Sequence, residues 1–453
     1  MTSPKYEEDT ILQGKVFSPL VRFAIPLMLS ILLQTLYGAV DLIVVGKFGD
    51  TTGVSAVANG SQIMQSVTEV IAGLTVGITV LVGRFIGARD EEGAADIVSG
   101  MIRLFLIIGL ITTAVIVIPA PLIVRLMKVP AEAADKSVAY IRICGSGFLF
   151  ITAFNVISGL FRGIGNSHSP LLFMAIACVT NIVGDLLLCG VFKLDVAGAA
   201  AATVFAQAVS VGFSIYKIKK DGLPFKINKI DLRRAKSSSL NILKVGGPVS
   251  LENLLIGFSF LIIIAIVNSL GLAASASIGI SEKLFTFLAL VPLSFMYALA
   301  AFVAQNVGAK QEERAIRGLR VAMLVSFVYG VLMFCLTFFK GDFLASIFEN
   351  DPAVIIAAKS YLRGISAEYL LVPLVLCFLG YFNGVGKTTF VMLQGLISSF
   401  AVRIPLSYFL SRIPDASLST IGLAVPLSTF SSLLMCGGYY IFVRRKRLEI
   451  GEL

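Results

Sequence analysis

The chain has 453 residues, of which 57% are hydrophobic and only 14% charged, and its mean hydropathy is +0.91. A soluble globular domain runs nearer half apolar and a quarter charged, so this composition excludes a disordered, collagenous or disulfide-built chain and an ordinary soluble enzyme, and it predicts an all-α polytopic membrane protein. The net charge of +10 comes from 37 basic and 27 acidic residues; because the basic ones sit in short loops between apolar runs they set topology, and no nucleic-acid partner is expected.

The first residues are polar and of mixed charge, and the first apolar run is long enough to span, so no cleavable signal peptide is expected. A spanning helix needs roughly 20 apolar residues. In chain order twelve runs qualify, at about 19–46, 54–83, 98–122, 136–162, 168–191, 196–218, 241–269, 276–305, 316–340, 355–382, 388–411 and 419–443. The second and eighth are the least regular, being interrupted by Gly or polar residues. Between the sixth and seventh lies the longest polar stretch, with Lys219, Lys220, Lys226, Lys229, Arg233, Arg234 and Lys236, and the tail adds Arg444, Arg445, Lys446 and Arg447. Twelve spans put this stretch and both termini on one side, which the positive-inside rule makes the cytoplasm, with the chain as a monomer in the plasma membrane. The expected organisation is a first lobe at 1–218, a basic linker at 219–240 and a second lobe at 241–453.

The two lobes are repeats. The second span ends in Val82-Gly-Arg-Phe-Ile-Gly-Ala-Arg-Asp-Glu91 and the eighth in Val303-Ala-Gln-Asn-Val-Gly-Ala-Lys-Gln-Glu312. The fourth ends in Phe161-Arg-Gly-Ile-Gly165 and the tenth in Phe382-Asn-Gly-Val-Gly386; Pro26 opens the first span and Pro248 the seventh. All these matches share a shift of 221 or 222 residues. Two six-helix halves therefore insert with the same orientation and are related by a pseudo-twofold along the membrane normal, a plan found in transporters that work by alternating access.

Polar residues within spans are costly, about 2.5–3.5 kcal/mol for a central Asp on insertion scales, and are functional candidates by default. Gln34, Tyr37 and Asp41 fall on one face of the first span, Asn181 and Asp185 on one face of the fifth, and Thr203 and Gln207 on one face of the sixth. Asp41, Asp185 and Thr203 all count to the outer half of the membrane; Asn155 in the fourth span sits deeper, and Tyr140 lies near that span's outer end. At a shift of 221 the counterparts of Asp41, Asn181 and Asp185 are Ile262, Val402 and Leu406, so the cluster belongs to the first half alone. Two carboxylates with neutral oxygens suit a hard cation such as Na⁺. They equally suit a proton relay, since two like charges in a low dielectric do not both stay ionised cheaply.

The second half has acids of its own. Glu252 follows Gly246-Gly247-Pro248 by one turn and could meet a cationic substrate, Glu282 precedes Lys283 near a span end, and Glu368 has Arg363 and Arg403 as candidate partners. Cys144, Cys178, Cys189, Cys335, Cys377 and Cys436 all lie in apolar runs without a CxxC pair and are read as packing residues. His168 and Lys387 are loop residues, and a single His builds no multi-His metal centre. Gly384-Val-Gly-Lys-Thr388 looks like part of a nucleotide loop, but position 381 is Tyr381 and the stretch ends a span, so it is the repeat motif and no cofactor is expected. Ile182-Val183-Gly184 before Asp185 lacks the pattern of an intramembrane aspartyl protease, and no enzyme is expected.

The twelve spans, the Gly-Ala-(Arg/Lys)-(Asp/Gln)-Glu ends of spans two and eight and the Phe-(Arg/Asn)-Gly-x-Gly ends of spans four and ten resemble the multidrug and toxic compound extrusion (MATE) family over nearly the whole chain. The resemblance implies the MATE fold of the wider MOP superfamily, and cation-coupled antiport in which Na⁺ or H⁺ enters while an organic, mainly cationic, amphipathic compound leaves. Gln34, Tyr37, Asp41, Tyr140, Asn155, Asn181, Asp185 and Thr203 are similar to the first-lobe polar site of the DinF-like branch. There Asp41, Asn181, Asp185 and Thr203 would correspond to cation ligands, with Asp41 the proton carrier and Pro26 the place where the first helix bends. The NorM-like branch keeps an acid in span ten where this chain has about Pro373, while Glu252 resembles a membrane acid of that branch. The rival within the superfamily is a lipid-linked oligosaccharide or other amphiphile flippase. Those often have fourteen spans and basic cavity residues, for which Arg142 and Arg363 are the candidates here.

Overall fold

In the computed structural model, residues 9–226, 235–268, 272–414 and 417–450 are described. Lys229, Arg233 and Arg234 of the basic stretch, and the side chains of Lys446 and Arg447, lie outside the described part. Every regular element among the described residues is helical. In hydrocarbon this is forced, because only a helix or a closed barrel satisfies its own backbone polar groups.

Among the described residues ten helices are long and apolar enough to cross a membrane: Phe17–Phe48, Thr51–Gly87, Glu91–Val117, His168–Val191, Asp195–Asp221, Ala235–Val267, Leu290–Gly308, Glu312–Phe339, Thr388–Ser411 and Leu418–Arg445. The fourth and tenth spans are bent pairs, Ala131–Ser146 with Phe148–Ile164 at 50° and Pro352–Ile365 with Glu368–Gly384 at 48°, which brings the count to twelve. Large apolar side chains stay uncovered along these helices, among them Leu106, Leu110, Ile118, Leu324, Val328 and Leu332. Acyl chains are the solvent that suits them.

Three elements differ from the sequence expectation. The second span, irregular by composition, is one unbroken 37-residue helix, Thr51–Gly87. Its glycines serve close packing: a methyl on Gly60 would collide with the Tyr140 ring, and one on Gly73 with the Ser250 backbone. The eighth span is two helices, Leu272–Leu288 and Leu290–Gly308, rather than one. Pro26 lies inside the helix Phe17–Phe48 and is buried there. It leaves the carbonyl one turn back without its helical donor, a built-in weak point of that helix.

The repeat is visible in the backbone. Arg89 and Lys310, 221 apart, both take a left-handed conformation (φ 56° and 59°) just past spans two and eight. Asp90 N donates to Phe85 O and Gln311 N to Asn306 O, while Arg89 N donates to Ile86 O and Lys310 N to Val307 O. These bonds form the same Schellman closure at both ends. Gly165 and Gly386 (φ 92° and 75°) close spans four and ten in the same way, with Asn166 N donating to Phe161 O and Lys387 N to Phe382 O.

The molecule divides into two compact units, one of Met1–Ser250 with Ala304–Glu312 and the other of Leu251–Val303 with Glu313–Leu453. In the first, Gly87 and Gly308 each meet the backbone of the other's helix end, at Gln305 and Arg84, so neither has room for a side chain. Its core runs through Val45, Ile71, Ile78, Leu160 and Ile242, with an aromatic cluster at Phe161 and Phe173. The second unit is centred on Ile263, Leu284, Leu344, Leu362 and Ile421.

Candidate functional site

Within the first unit, spans one, five and six pack along one another. Asp41, Asn181 and Asp185 are 3%, 0% and 0% exposed, which places two carboxyls and an amide out of reach of water. Thr203 donates its hydroxyl to Asp41 Oδ2 at 3.3 Å, and Tyr37 donates its hydroxyl to the Thr203 carbonyl at 3.4 Å. Asp185 and Asn181 lie beside the Asp41 carboxyl without completing hydrogen bonds: Asp41 Oδ1, both Asp185 oxygens, both polar atoms of Asn181 and Gln207 Oε1 are buried and unpartnered. Tyr140 is buried on span four beside Tyr37 and Asp41. No Lys, Arg or His side chain faces either Asp41 or Asp185 among the described residues.

Two other residues lie differently. Asn155 donates its amide to the Ile151 carbonyl at 2.8 Å, one turn back in its own helix. Gln34 is exposed on the first span. The thiol of Cys144, one turn from Tyr140, also faces this cluster and donates to the Ala200 carbonyl at 3.9 Å. Sequence reasoning placed Cys144 with the packing residues, although its spacing from Tyr140 puts both on one face. No cluster of three or more His, Cys, Asp or Glu suited to a metal exists among the described residues. The oxygen set of Asp41, Asn181, Asp185 and Thr203 fits a hard monovalent cation or a proton instead, since it combines two anions with neutral donors and lacks soft ligands.

At one end of the first unit a second charge group ties helices together. Lys136 Nζ bridges Asp50 at 2.8 Å and Asp195 at 2.7 Å. Asp50 also accepts from Gly53 N at 2.7 Å as the N-cap of the second span. The Lys136 ammonium holds the Asp50 carboxyl well below the usual carboxylate range.

The second unit holds two buried acids. Glu252 accepts from Gln394 Nε2 at 3.5 Å and packs against Gly395. Glu368 accepts from the Thr429 hydroxyl at 2.9 Å, and its other oxygen is buried without a partner. Of its two candidate partners, Arg403 is the charged group that faces it, while Arg363 stacks on the Phe338 ring at 4.7 Å. Glu282 is exposed.

The MatE family profile matches residues 26–187 and again 248–409, together well over half of the chain. The chain belongs to the MatE family. It is 27% identical to the probable multidrug resistance protein YpnP of Bacillus subtilis (strain 168), covering 97% of this chain and 98% of that one. It is 26% identical to the multidrug export protein MepA of Staphylococcus saprophyticus, over 85% of this chain and 86% of the relative. Among solved structures, it superposes with a TM-score of 0.90 on a multidrug resistance MATE family transporter of the MOP superfamily in an outward-facing conformation, at 21% identity over 99% of both chains. The fold is thus that of the MATE transporters, and this MatE chain is a multi-pass membrane protein whose named relatives export drugs.

The two matched stretches begin and end 222 residues apart, whereas the span-end motifs between them are 221 apart. Spans five and eleven each contain a π turn, Leu186–Val191 in the first and Ile397–Arg403 in the second.

Proposed function

We propose that this MatE chain is a secondary active multidrug antiporter of the plasma membrane, with cytoplasmic termini. It exports organic, mainly cationic, amphipathic compounds in exchange for H⁺ or Na⁺ by alternating access. The observation that supports the reading is the pair Asp41 and Asp185, two buried carboxyls with unpartnered oxygens and, among the described residues, no basic side chain facing them. Such a pair inside a span is neutralised by something that enters and leaves, either a proton or a metal ion. Asp41 carries the exchangeable charge, and Asn181, Asp185 and Thr203 complete the oxygen set. Tyr37, Tyr140 and Gln207 wall the site, and Pro26 gives the first helix a point at which to bend.

One monovalent cation entering down a 100 mV potential supplies about 2.3 kcal/mol. That sustains a substrate gradient of about 50-fold. One-for-one exchange with a monovalent organic cation moves no net charge and draws only on the concentration gradient of the ion. Charge stoichiometry therefore decides whether voltage helps.

The test is efflux of a fluorescent lipophilic cation from proteoliposomes under an imposed Na⁺ gradient and, separately, a pH gradient, with wild type and Asp41→Asn side by side. Efflux driven by one gradient and lost in the variant is the expected result and names the ion. Wild-type efflux from Asp41→Asn would sink the coupling assignment.

A further inference from the structure

We infer that Ile11, just ahead of the first span, is a peg that holds the ends of spans four and eight together, so that the inner side of the transporter opens only when the peg withdraws. The inference rests on the alternating-access reading given above.

The socket is built from helix ends. Each even span returns the chain to the side on which it began, so Ile11 and the ends of spans four and eight share one side. Span four closes at Gly165 in a left-handed conformation (φ 92°), and span eight brings Gln305 beside it. Gln305 Nε2 donates to the Gly163 carbonyl at 2.8 Å, which ties a side chain of the second repeat to the backbone of the first. A methyl on Gly165 would lie 2.8 Å from Ile11 Cδ1 and 3.0 Å from Gln305 Nε2. The isoleucine tip and the amide therefore flank the space that this glycine leaves open. Ile11 is 6% exposed there, although Gln13, Gly14 and Lys15 after it are exposed. An isoleucine beyond the end of a span gains from such a socket, because water is its alternative.

The peg is also joined to span one. Gly14 makes a left-handed turn (φ 70°), Val16 is buried and its carbonyl accepts from Leu20 N at 3.2 Å, and the helix Phe17–Phe48 follows directly. Ile11 thus hangs on a short tether from the helix that carries Pro26 and Asp41. Its side chain meanwhile sits where two helix ends from different repeats meet. Alternating access requires such ends to part when the inner side opens. A side chain seated between them lets go of at least one as they do, and the tether makes the inner end of span one the element that withdraws it.

The experiment reads how fast a buried cysteine at this closure is reached from the inner side. Ala304, 0% exposed and next to Gln305, is changed by Ala304→Cys in the full chain, and inside-out vesicles are treated with a membrane-impermeant maleimide. The chain without Ala304→Cys gives the blank for the native cysteines. Adding Ile11→Ala should speed labelling about tenfold, and Ile11→Val should speed it less. A merely structural role would loosen the whole unit instead. The control is Ala133→Cys, near the outer end of span four and 1% exposed, labelled from outside in right-side-out vesicles. Its labelling should not rise with Ile11→Ala. Equal labelling of Ala304→Cys with and without Ile11→Ala, or an equal rise at both positions, overturns the inference. If Ile11→Ala yields no folded protein, Ile11→Val decides: faster labelling at Ala304→Cys alone supports the peg, and no change there overturns it. Wild-type protein that moves no substrate under either gradient, yet shows Ile11-dependent labelling, removes the antiport reading and keeps the peg. Efflux with labelling indifferent to Ile11 removes the peg alone.

Discussion

The two halves of this MatE chain fold from one plan, yet they surround their buried acids differently. In the first, Asp41 and Asp185 sit among an amide, hydroxyls and a thiol, with no cationic side chain facing them among the described residues. In the second, Glu368 accepts from Thr429 while Arg403 donates to the neighbouring Ser428, and Glu252 is buried with Gln394 as its hydrogen-bond partner. A duplicated six-helix unit thus comes to hold two different polar interiors through a few residues inside the spans. The helix ends were left alone: the left-handed closures at Arg89 and Lys310, and at Gly165 and Gly386, are the same in both.

The largest expected effect breaks that comparison at its centre. Asp41→Asn should reduce gradient-driven efflux to background while the purified protein melts no lower than wild type. The amide relieves the repulsion between two buried carboxylates, so function and stability move apart. A melting temperature that falls along with activity would mean that Asp41 is a structural tie.

The matching change in the second half should do the reverse. Glu368→Gln removes the buried carboxylate that accepts from Thr429, and losing a hydrogen bond to a charged group costs about 1.5–3 kcal/mol. The expected outcome is a large loss of melting temperature, with ion-coupled efflux retained by whatever protein remains folded. An unchanged melting temperature would show that a neutral amide serves Thr429 as well as the carboxylate does.

Much of this was legible in the sequence, and the failures have physical causes. Twelve apolar runs and the 221-residue shift gave the spans and the repeat, because span length and helix-end chemistry are written locally. The gathering of Asp41, Asn181, Asp185 and Thr203 followed from helical spacing and shared depth. Arg403 was legible only as a candidate partner of Glu368; its bond to Ser428 and its stacking on Phe260 join separate spans, which spacing along one span does not show. The bends near Gly147 and Ser366 and the break between Leu288 and Leu290 were hidden inside continuous apolar runs, since hydropathy does not register a change of axis. Asn155 reads as a site residue by type, but its amide is spent on its own helix.

Asn155 therefore provides a sharper and smaller test. A local side-chain bond of this kind contributes about 0.5–1.5 kcal/mol. Asn155→Ala should cost no more than that in stability and leave the ion dependence of efflux as in wild type, whereas Asn181→Ala should weaken it. Equal shifts in ion dependence for the two variants would place Asn155 in the oxygen set during part of the cycle.

The smallest effect concerns the Lys136 bridge, which lies outside the buried cluster. Asp50 and Asp195 draw the start of span four toward the starts of spans two and six, the same helices that carry Tyr140 and Thr203. Asp50 is well exposed, so water and salt screen its interaction with Lys136. The sign of its pH dependence is fixed all the same. The folded-state value of Asp50 lies below its unfolded value, with the Lys136 ammonium as the largest cause, so its contribution is present at neutral pH and is lost as the pH falls below the ordinary carboxylate range. Asp50→Asn and Lys136→Met should each lower the melting temperature slightly at pH 7 and low salt, and the difference from wild type should shrink at high salt and in acid. Efflux under a saturating gradient should change little in either variant. A large loss of ion-dependent efflux with stability intact would instead make this bridge part of the path by which the ion reaches Asp41, and would extend the difference between the halves from the buried cluster to the membrane surface.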